Sequence, residues 1–546
     1  MRDQNRYLWW QRGVIYQIYP RSFMDSNSDG IGDLPGIIQR LDYLSDTLGV
    51  DAVWLSPFYP SPMADFGYDV ADYTNVDPLF GSLDDFYRLV HRAHAKGLKI
   101  IIDFVPNHSS DQHPWFIESS ASRDNPRRDW YTWQDGKPDG SPPNNWLSVF
   151  GGSAWEWHPP TGQYYLHSFL KQQPDLNWRN LAVKSAMFDV LRFWLDKKVD
   201  GFRVDVAHFI MKDPNLRDNP LKKSASSDFH KPLGEYDTQV HLYSQNHADI
   251  HPLYREFRQL LDDYSQEQPR VAVGEIHIFD WEQWAQYYGQ DLDELHMPLN
   301  FQLLGNDLQA NTIRRIVDSL EASLPPGAWP NYVLGNHDEI RMASRYSQAE
   351  ARLAAMLLLT LRGTPTIYYG DEIGMEEAAI PLEQQQDPWG IRVPGLSRDG
   401  CRTPMQWSDQ HNAGFSPAGG DPPWLPVNPN YRQANVAAAL QQPESLLNLY
   451  RQLLRYRKNT QALQVGAYIP IDAAPGNCFA FKRALAGTPV HYVLLNFSAG
   501  EQIVNLTLSG TGKVGLSTYL DRDEALDFSS IHLREFEGLI VEGDSD

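Results

Sequence analysis

Asp200-Gly-Phe-Arg-Val-Asp205 is a short apolar run that closes on an arginine–aspartate pair. In an extended strand Arg203 and Asp205 leave on the same face and can meet in a charge-assisted contact. Just upstream, Met187, Leu191, Trp194 and Leu195 recur at helical spacing, so the strand follows a helix. A strand of this kind in a closed barrel of βα units carries its chemistry at its carboxyl end, and Asp205 stands there.

The same unit recurs on both sides. Val14-Ile-Tyr-Gln-Ile-Tyr19, Asp51-Ala-Val-Trp-Leu-Ser56 and Leu98-Lys-Ile-Ile-Ile-Asp-Phe104 are compact buried-strand runs. Ile37, Leu41, Leu44 and Leu48 mark one face of a helix stopped at Gly49. Ser82 and Asp85 form the cap of the next, whose stripe is Phe86, Leu89, Val90 and Ala93. With Ala272-Glu275, Pro298-Phe301, Tyr332-Gly335 and Thr366-Gly370 the count reaches eight, which predicts a (β/α)8 TIM barrel in the α/β class.

Two irregular excursions, Pro106 to about Trp178 and roughly Glu376 to Asn435, leave from strand carboxyl ends and should overhang the barrel mouth. After about Val465 short β-rich pieces such as Cys478-Phe481, Tyr492-Phe497 and Ile503-Leu508 predict a separate antiparallel β-domain. The resulting division is a barrel over 1–104 and 179–465, an inserted domain over 105–178 and a C-terminal domain over 466–546. The final Glu542-Gly-Asp-Ser-Asp546 reads as a frayed, solvated tail.

Composition narrows the function. Across 546 residues, 47 Lys and Arg against 69 Asp and Glu give a net charge of −22, which disfavours nucleic acid and anionic membranes and suits neutral substrates. With 17 Trp and 27 Tyr there are aromatic faces to spare for stacking on flat ligands. Cys401 and Cys478 alone build no disulfide framework, and the N-terminal residues lack a signal-length apolar run, so the expectation is a soluble cytoplasmic protein without a membrane span, a monomer or homodimer.

Three acids end strands four, five and seven: Asp205, Glu275 in Val273-Gly-Glu-Ile276, and Asp338 in Gly335-Asn-His-Asp338. Barrel strands bring such acids into one pocket, where glycoside chemistry needs one carboxylate ionised and another protonated. Arg203 should keep Asp205 ionised while neighbouring carboxylates raise Glu275. His108 and His337, also at strand ends, suit donors to sugar hydroxyls, and no His/Cys cluster has zinc-ligand spacing.

Asp25-Ser-Asn-Ser-Asp-Gly-Ile-Gly-Asp33 sets oxygen side chains at alternate positions around Gly30. Asp25, Asn27, Asp29, Asp33 and the Ile31 carbonyl can encircle a hard cation; position twelve is Gly36 rather than Glu, so this is no EF-hand, and a hydrogen-bonded Asx turn without metal is the other reading.

The ordered segments Asp103-Phe-Val-Pro-Asn-His108, Gly201-Phe-Arg-Val-Asp205, Val273-Gly-Glu-Ile276 and Gly335-Asn-His-Asp338, with Gln173-Pro-Asp-Leu-Asn177, resemble the signature regions of the α-amylase superfamily, glycoside hydrolase family 13, in its α-glucosidase and oligo-1,6-glucosidase branch. The resemblance implies a B domain inserted after strand three and a C-terminal β-sandwich. It implies Asp205 as nucleophile, Glu275 as general acid/base and Asp338 as transition-state stabiliser, with retention of configuration. It implies one structural Ca2+, or Mg2+, at the Asp-rich loop, and no organic cofactor. Asp65-Phe-Gly-Tyr-Asp69 and Arg398-Asp-Gly-Cys-Arg-Thr-Pro-Met-Gln-Trp407 match exo-acting members: Tyr68 as a stacking platform, and Arg402 opposite Asp65 as the pair that closes the pocket. Phe150 joins Arg203 and the two histidines in the substrate-contacting set. The implied activity is release, and transfer, of terminal α-glucose from short oligosaccharides or small α-glucosides, with a trehalose- or isomaltulose-synthase type of enzyme, or a non-catalytic binding relative, as the alternatives. Val206 after the nucleophile accompanies α-1,6 action among such relatives, but Glu339-Ile-Arg341 and Met211-Pro220 depart from that subgroup.

Overall fold

The computed structural model describes residues 7–223, 231–472 and 474–544. The first six residues and the last two of the acidic tail therefore lie outside the described residues. Eight parallel strands, Ile15–Ile18 (β1), Ala52–Leu55 (β2), Lys99–Phe104 (β3), Gly201–Val204 (β4), Val271–Glu275 (β5), Met297–Leu299 (β6), Asn331–Val333 (β7) and Thr364–Tyr368 (β8), hydrogen-bond in the order β7-β8-β1-β2-β3-β4-β5-β6. A parallel bridge between Asn300 and Tyr332 links the two outer strands and completes the ring. The eight predicted strands are all present, each within a few residues of its expected bounds.

Register places the chemistry. Asp103 pairs with Arg203 across β3 and β4, and Val204 pairs with Gly274 across β4 and β5, so Asp205 and Glu275 emerge side by side at the same rim. A Cβ at Gly274 would lie 2.3 Å from Cδ1 of Leu295, so a larger residue before Glu275 would have to displace the end of that side chain.

The helix expected through Leu48 is in fact two pieces. Asp33 caps a helix over Leu34–Gln39, accepting from the Gly36 amide, and a wider helical turn over Tyr43–Leu48 ends at Gly49 with φ +92°. The Ser82–Asp85 capping box starts the helix Leu83–Ala95 as predicted, and its four apolar stripe residues are buried.

After β3 the chain makes a three-stranded antiparallel sheet, in which Gln163–Leu166 lies between Trp133–Gln134 and Trp155–His158. The second excursion, after β8, holds short helical turns such as Pro388–Arg392 and Asp399–Arg402. Beyond Gly466 six antiparallel strands between Ala467 and Gly543 form one sheet, and Gln502–Val504 pairs with Ile531–Leu533 in a second; Val504, Ile531 and Leu533 share a buried cluster with Leu494, Leu539 and Val541 of the first. Among the described residues no helix is long and apolar enough to cross a membrane.

Candidate active site

The pocket at the carboxyl ends of the strands is organised by one guanidinium. Arg203 is buried; its Nη1 donates to Oδ1 of Asp103 and Oδ1 of Asp205, both at 2.7 Å, and its Nη2 donates to Oε2 of Glu275 at 2.6 Å. Asp205 and Glu275 are thus held at the two prongs of a single rigid fork.

Val206 follows Asp205 with φ +36°, in a region that β-branched residues rarely adopt. Such a conformation costs about 1–3 kcal/mol. It aims the Val206 amide at Oε2 of Glu275, 2.9 Å away, while His277 Nε2 lies 2.8 Å from Oε1.

These contacts shift the two carboxyls in directions other than those expected. Burial pushes Glu275 up, but Arg203 and the His277 bond outweigh it, so its carboxyl rests well below the usual range. Burial raises Asp205 far above that range, and the Arg203 nitrogen it shares with Asp103 does not offset this. The reason is donor count: Glu275 collects three donors and Asp205 half of one.

Asp338 is the partly exposed acid, with 24% of its side chain open. Its Oδ1 accepts from Arg398 at 3.1 Å and Arg402 at 2.9 Å, and Oδ2 lies 3.2 Å from His337 Nε2. Burial raises this carboxyl, and His337 with the arginines lowers it further, to well below the usual range.

The closed end of the pocket corrects a second expectation. The direct partner of Asp65 is Arg398, Nη2 to Oδ1 at 2.7 Å, not Arg402. Arg398 and Arg402 stand on either side of one short helical turn, and Arg402 is spent on Asp338 and the His337 carbonyl. Asp387 fixes Arg398 by accepting at 2.6 and 3.0 Å. Gln173 donates to Oδ2 of Asp65 at 3.2 Å. Arg203 and Arg402 contact the carboxylates rather than lining the pocket itself.

The other predicted residues meet in this pocket. Asp65, Tyr68, His108, Phe150, His337 and the three acids all line it. Tyr68 and His337 have nearly parallel rings, 4° apart, and the Tyr68 hydroxyl is 2.6 Å from His337 Nε2. Burial lowers His108 to about 4 and His337 to about 3, so both are neutral near pH 7. His108 Nε2 sits 3.1 Å from Gln173 Nε2.

Sequence reasoning missed the remaining wall. Phe169, Phe209, Leu233 and Trp389, with Val149, Phe150 and Val206, form an apolar cluster along it, Phe150 lying flat on Trp389 at 4.9 Å. Lys231 bonds Glu339 at 2.9 Å beside them. These come from irregular loops whose only signal was aromatic content.

The Asp-rich loop lies elsewhere. Asp25 accepts from the amides of Asn27, Ser28 and Gly30, Asp29 from Ile31, Asn27 from Asp29, and Asp33 from Ser26 and Gly36. The donors are all hard oxygens, of a type that suits Ca2+. They face the loop's own amides, however, and among the described residues no group of three or more His, Cys, Asp or Glu is arranged around an ion.

Comparison with known proteins is consistent along the whole chain. The family model "Alpha amylase, catalytic domain" matches residues 17–466. A probable alpha-glucosidase of Rhizobium meliloti (strain 1021) is 44% identical over 507 residues, covering 90% of this chain and 89% of that protein. The crystal structure of the alpha-glucosyl transfer enzyme XgtA superposes with a TM-score of 0.91 at 42% identity, covering 98% of this chain and 100% of that one. A variant of the trehalulose synthase MutB in complex with Tris gives 0.88 at 36% identity, covering 98% and 100%.

Proposed function

This chain belongs to the alpha-amylase family, and on that premise we propose that it is a retaining, exo-acting α-glucosidase of short oligosaccharides or small α-glucosides. Asp205, in the ionised form that the Arg203 guanidinium favours, attacks the anomeric carbon, and the bond to the leaving oxygen breaks as Glu275 protonates that oxygen. Water or another hydroxyl, deprotonated by Glu275, then displaces Asp205. Asp338, ionised between its arginines, takes hydrogen bonds from the sugar that strengthen as positive charge grows on the ring.

The observation that carries the exo reading is the Asp65–Arg398 bridge beside the three acids in one pocket. A buried ion pair across the far end leaves room for a terminal sugar and no path for a chain to thread through. The test is release of 4-nitrophenol from its α-glucoside by the wild type and by Asp205→Asn; equal rates end the proposal.

A second reading, glucosyl transfer or sugar isomerisation, is favoured by the apolar wall from Val149 to Trp389, which holds water away from the second displacement. The likeness to enzymes with those activities supports it. Products from maltose and sucrose separate the two: free glucose supports hydrolysis, and an isomeric disaccharide supports transfer.

The structural cation belongs to the same proposal. Ca2+, or Mg2+, would be held by Asp25, Asn27, Asp29, Asp33 and the Ile31 carbonyl, in competition with the amides that now occupy those oxygens.

A further inference from the structure

Arg203, the Val206 amide and His277 all favour the ionised form of Glu275, yet the reaction assigned to it starts with a proton in hand. Its two oxygens are occupied unequally: Oε2 takes Arg203 and the Val206 amide, donors that never release a proton, whereas Oε1 faces His277. The His277 ring lies on Phe301 with centroids 4.4 Å apart and planes 7° apart, which fixes Nε2 at 2.8 Å from Oε1. It lines the pocket with one-fifth of its side chain exposed, so it can exchange protons with water.

We propose that His277 is a positioning residue that stores the proton for Glu275, so that the two side chains work as a one-proton acid. The inference rests on the assignment of Glu275 as general acid/base. As substrate enters, the proton passes from Nε2 to Oε1 and the N–H electron pair stays on the imidazole. Glu275 gives that proton to the glycosidic oxygen while the anomeric carbon bonds to Asp205. In the second displacement the attacking hydroxyl's proton returns to Glu275 and from there to His277.

The other groups facing this pair cannot take the role. Asp103 on β3 and Asp205 beyond β4, both raised by burial, sit on Nη1 of Arg203, whereas Oε1 of Glu275 faces His277; Asp338 beyond β7 is bound to its arginines. His208, whose ring is 6.0 Å from that of His277, and His337 are each pushed to about 3 by burial and are neutral near pH 7, with no second ring proton to give. Lys212 is committed to Asp175 and Asn107.

The experiment is the pH dependence of kcat/KM for His277→Gln, which keeps an N–H donor, and His277→Phe, which keeps the ring on Phe301. Two substrates are compared: methyl α-glucoside, whose leaving group needs the proton, and the 4-nitrophenyl glucoside, whose leaving group needs it little. Both variants should lose about tenfold or more on the methyl glucoside at neutral pH, a smaller factor on the nitrophenyl one, and their basic limb should move about one unit toward acid.

A His277→Gln enzyme with the wild-type limb overturns the proposal and leaves the functional reading standing. Full turnover of the methyl glucoside by Glu275→Gln would instead remove that reading. Should neither His277 variant fold, carbon-13 histidine NMR of the wild type decides: the ring should titrate with the midpoint of the basic limb, and a different midpoint overturns the proposal.

Discussion

Arg398 donates to Asp65 at 2.7 Å although the two are 333 positions apart. The contact joins the loop after β2 to the excursion after β8, and in the proposed exo reading it closes the pocket between them. Asp65→Ala leaves Arg398 still bound to Asp387, so the fold should survive while the seal opens. A hydrogen bond to a charged group is worth about 1.5–3 kcal/mol. KM for a disaccharide should therefore rise about tenfold or more, and chromatography of maltodextrin digests should show products longer than glucose. A variant that still releases glucose alone, at unchanged KM, contradicts this role.

Arg203→Lys keeps a positive charge and loses the fork. One ammonium cannot hold Asp103, Asp205 and Glu275 together as the guanidinium does. Leaving buried carboxylates unpaired costs about 3–5 kcal/mol, readable in urea denaturation. The kcat/KM should drop by about a hundredfold or more. A stable, active lysine variant would show that the bridge is dispensable.

Buried neutral histidines set an acid limit to stability. For His108 the folded value is about 4, against a model-peptide value of about 6.5. Between those values the unfolded chain binds more protons, so the contribution is present above about pH 6.5 and is lost as pH falls toward 4, by at most about 1.4 kcal/mol per unit. Burial is the cause, the residue being only 2% exposed. His108→Gln should flatten this slope in denaturation curves taken across the window; an unchanged slope places the acid sensitivity elsewhere.

Calcium has a direct readout. If the cation binds at the Asp25–Asp33 loop, saturating Ca2+ at about 100 times Kd adds about 2.7 kcal/mol and raises Tm, chelation lowers it, and Asp29→Ala abolishes the difference. A Tm indifferent to both additions assigns the loop to its Asx turns alone.

The barrel was legible because its strands are continuous apolar runs between helix stops, a pattern that burial on both faces imposes. The acids were legible for a related reason, since a carboxylate that ends such a run has nowhere to go but the rim. Spacing could not choose between Arg398 and Arg402, four positions apart on an irregular segment, because a tight helical turn rather than a repeating element decides which reaches Asp65. Trp389, Phe169 and Phe209 were hidden in the same way. His277 did carry a signal: two residues past Glu275, extended backbone returns it to the same side. The directions in which Asp205 and Glu275 are shifted were misread because the sequence shows how many carboxylates gather and not how the donors are divided among them.

The central claim, that Asp205 and Glu275 carry out a double displacement across one glycosidic bond, is tested most directly by the anomer formed first. Proton NMR recorded during the opening minutes of hydrolysis of the 4-nitrophenyl α-glucoside should show α-glucose appearing before mutarotation produces the β form. β-Glucose as the initial product would mean a single displacement by water, and the two acids on Arg203 could not then have the roles given to them here.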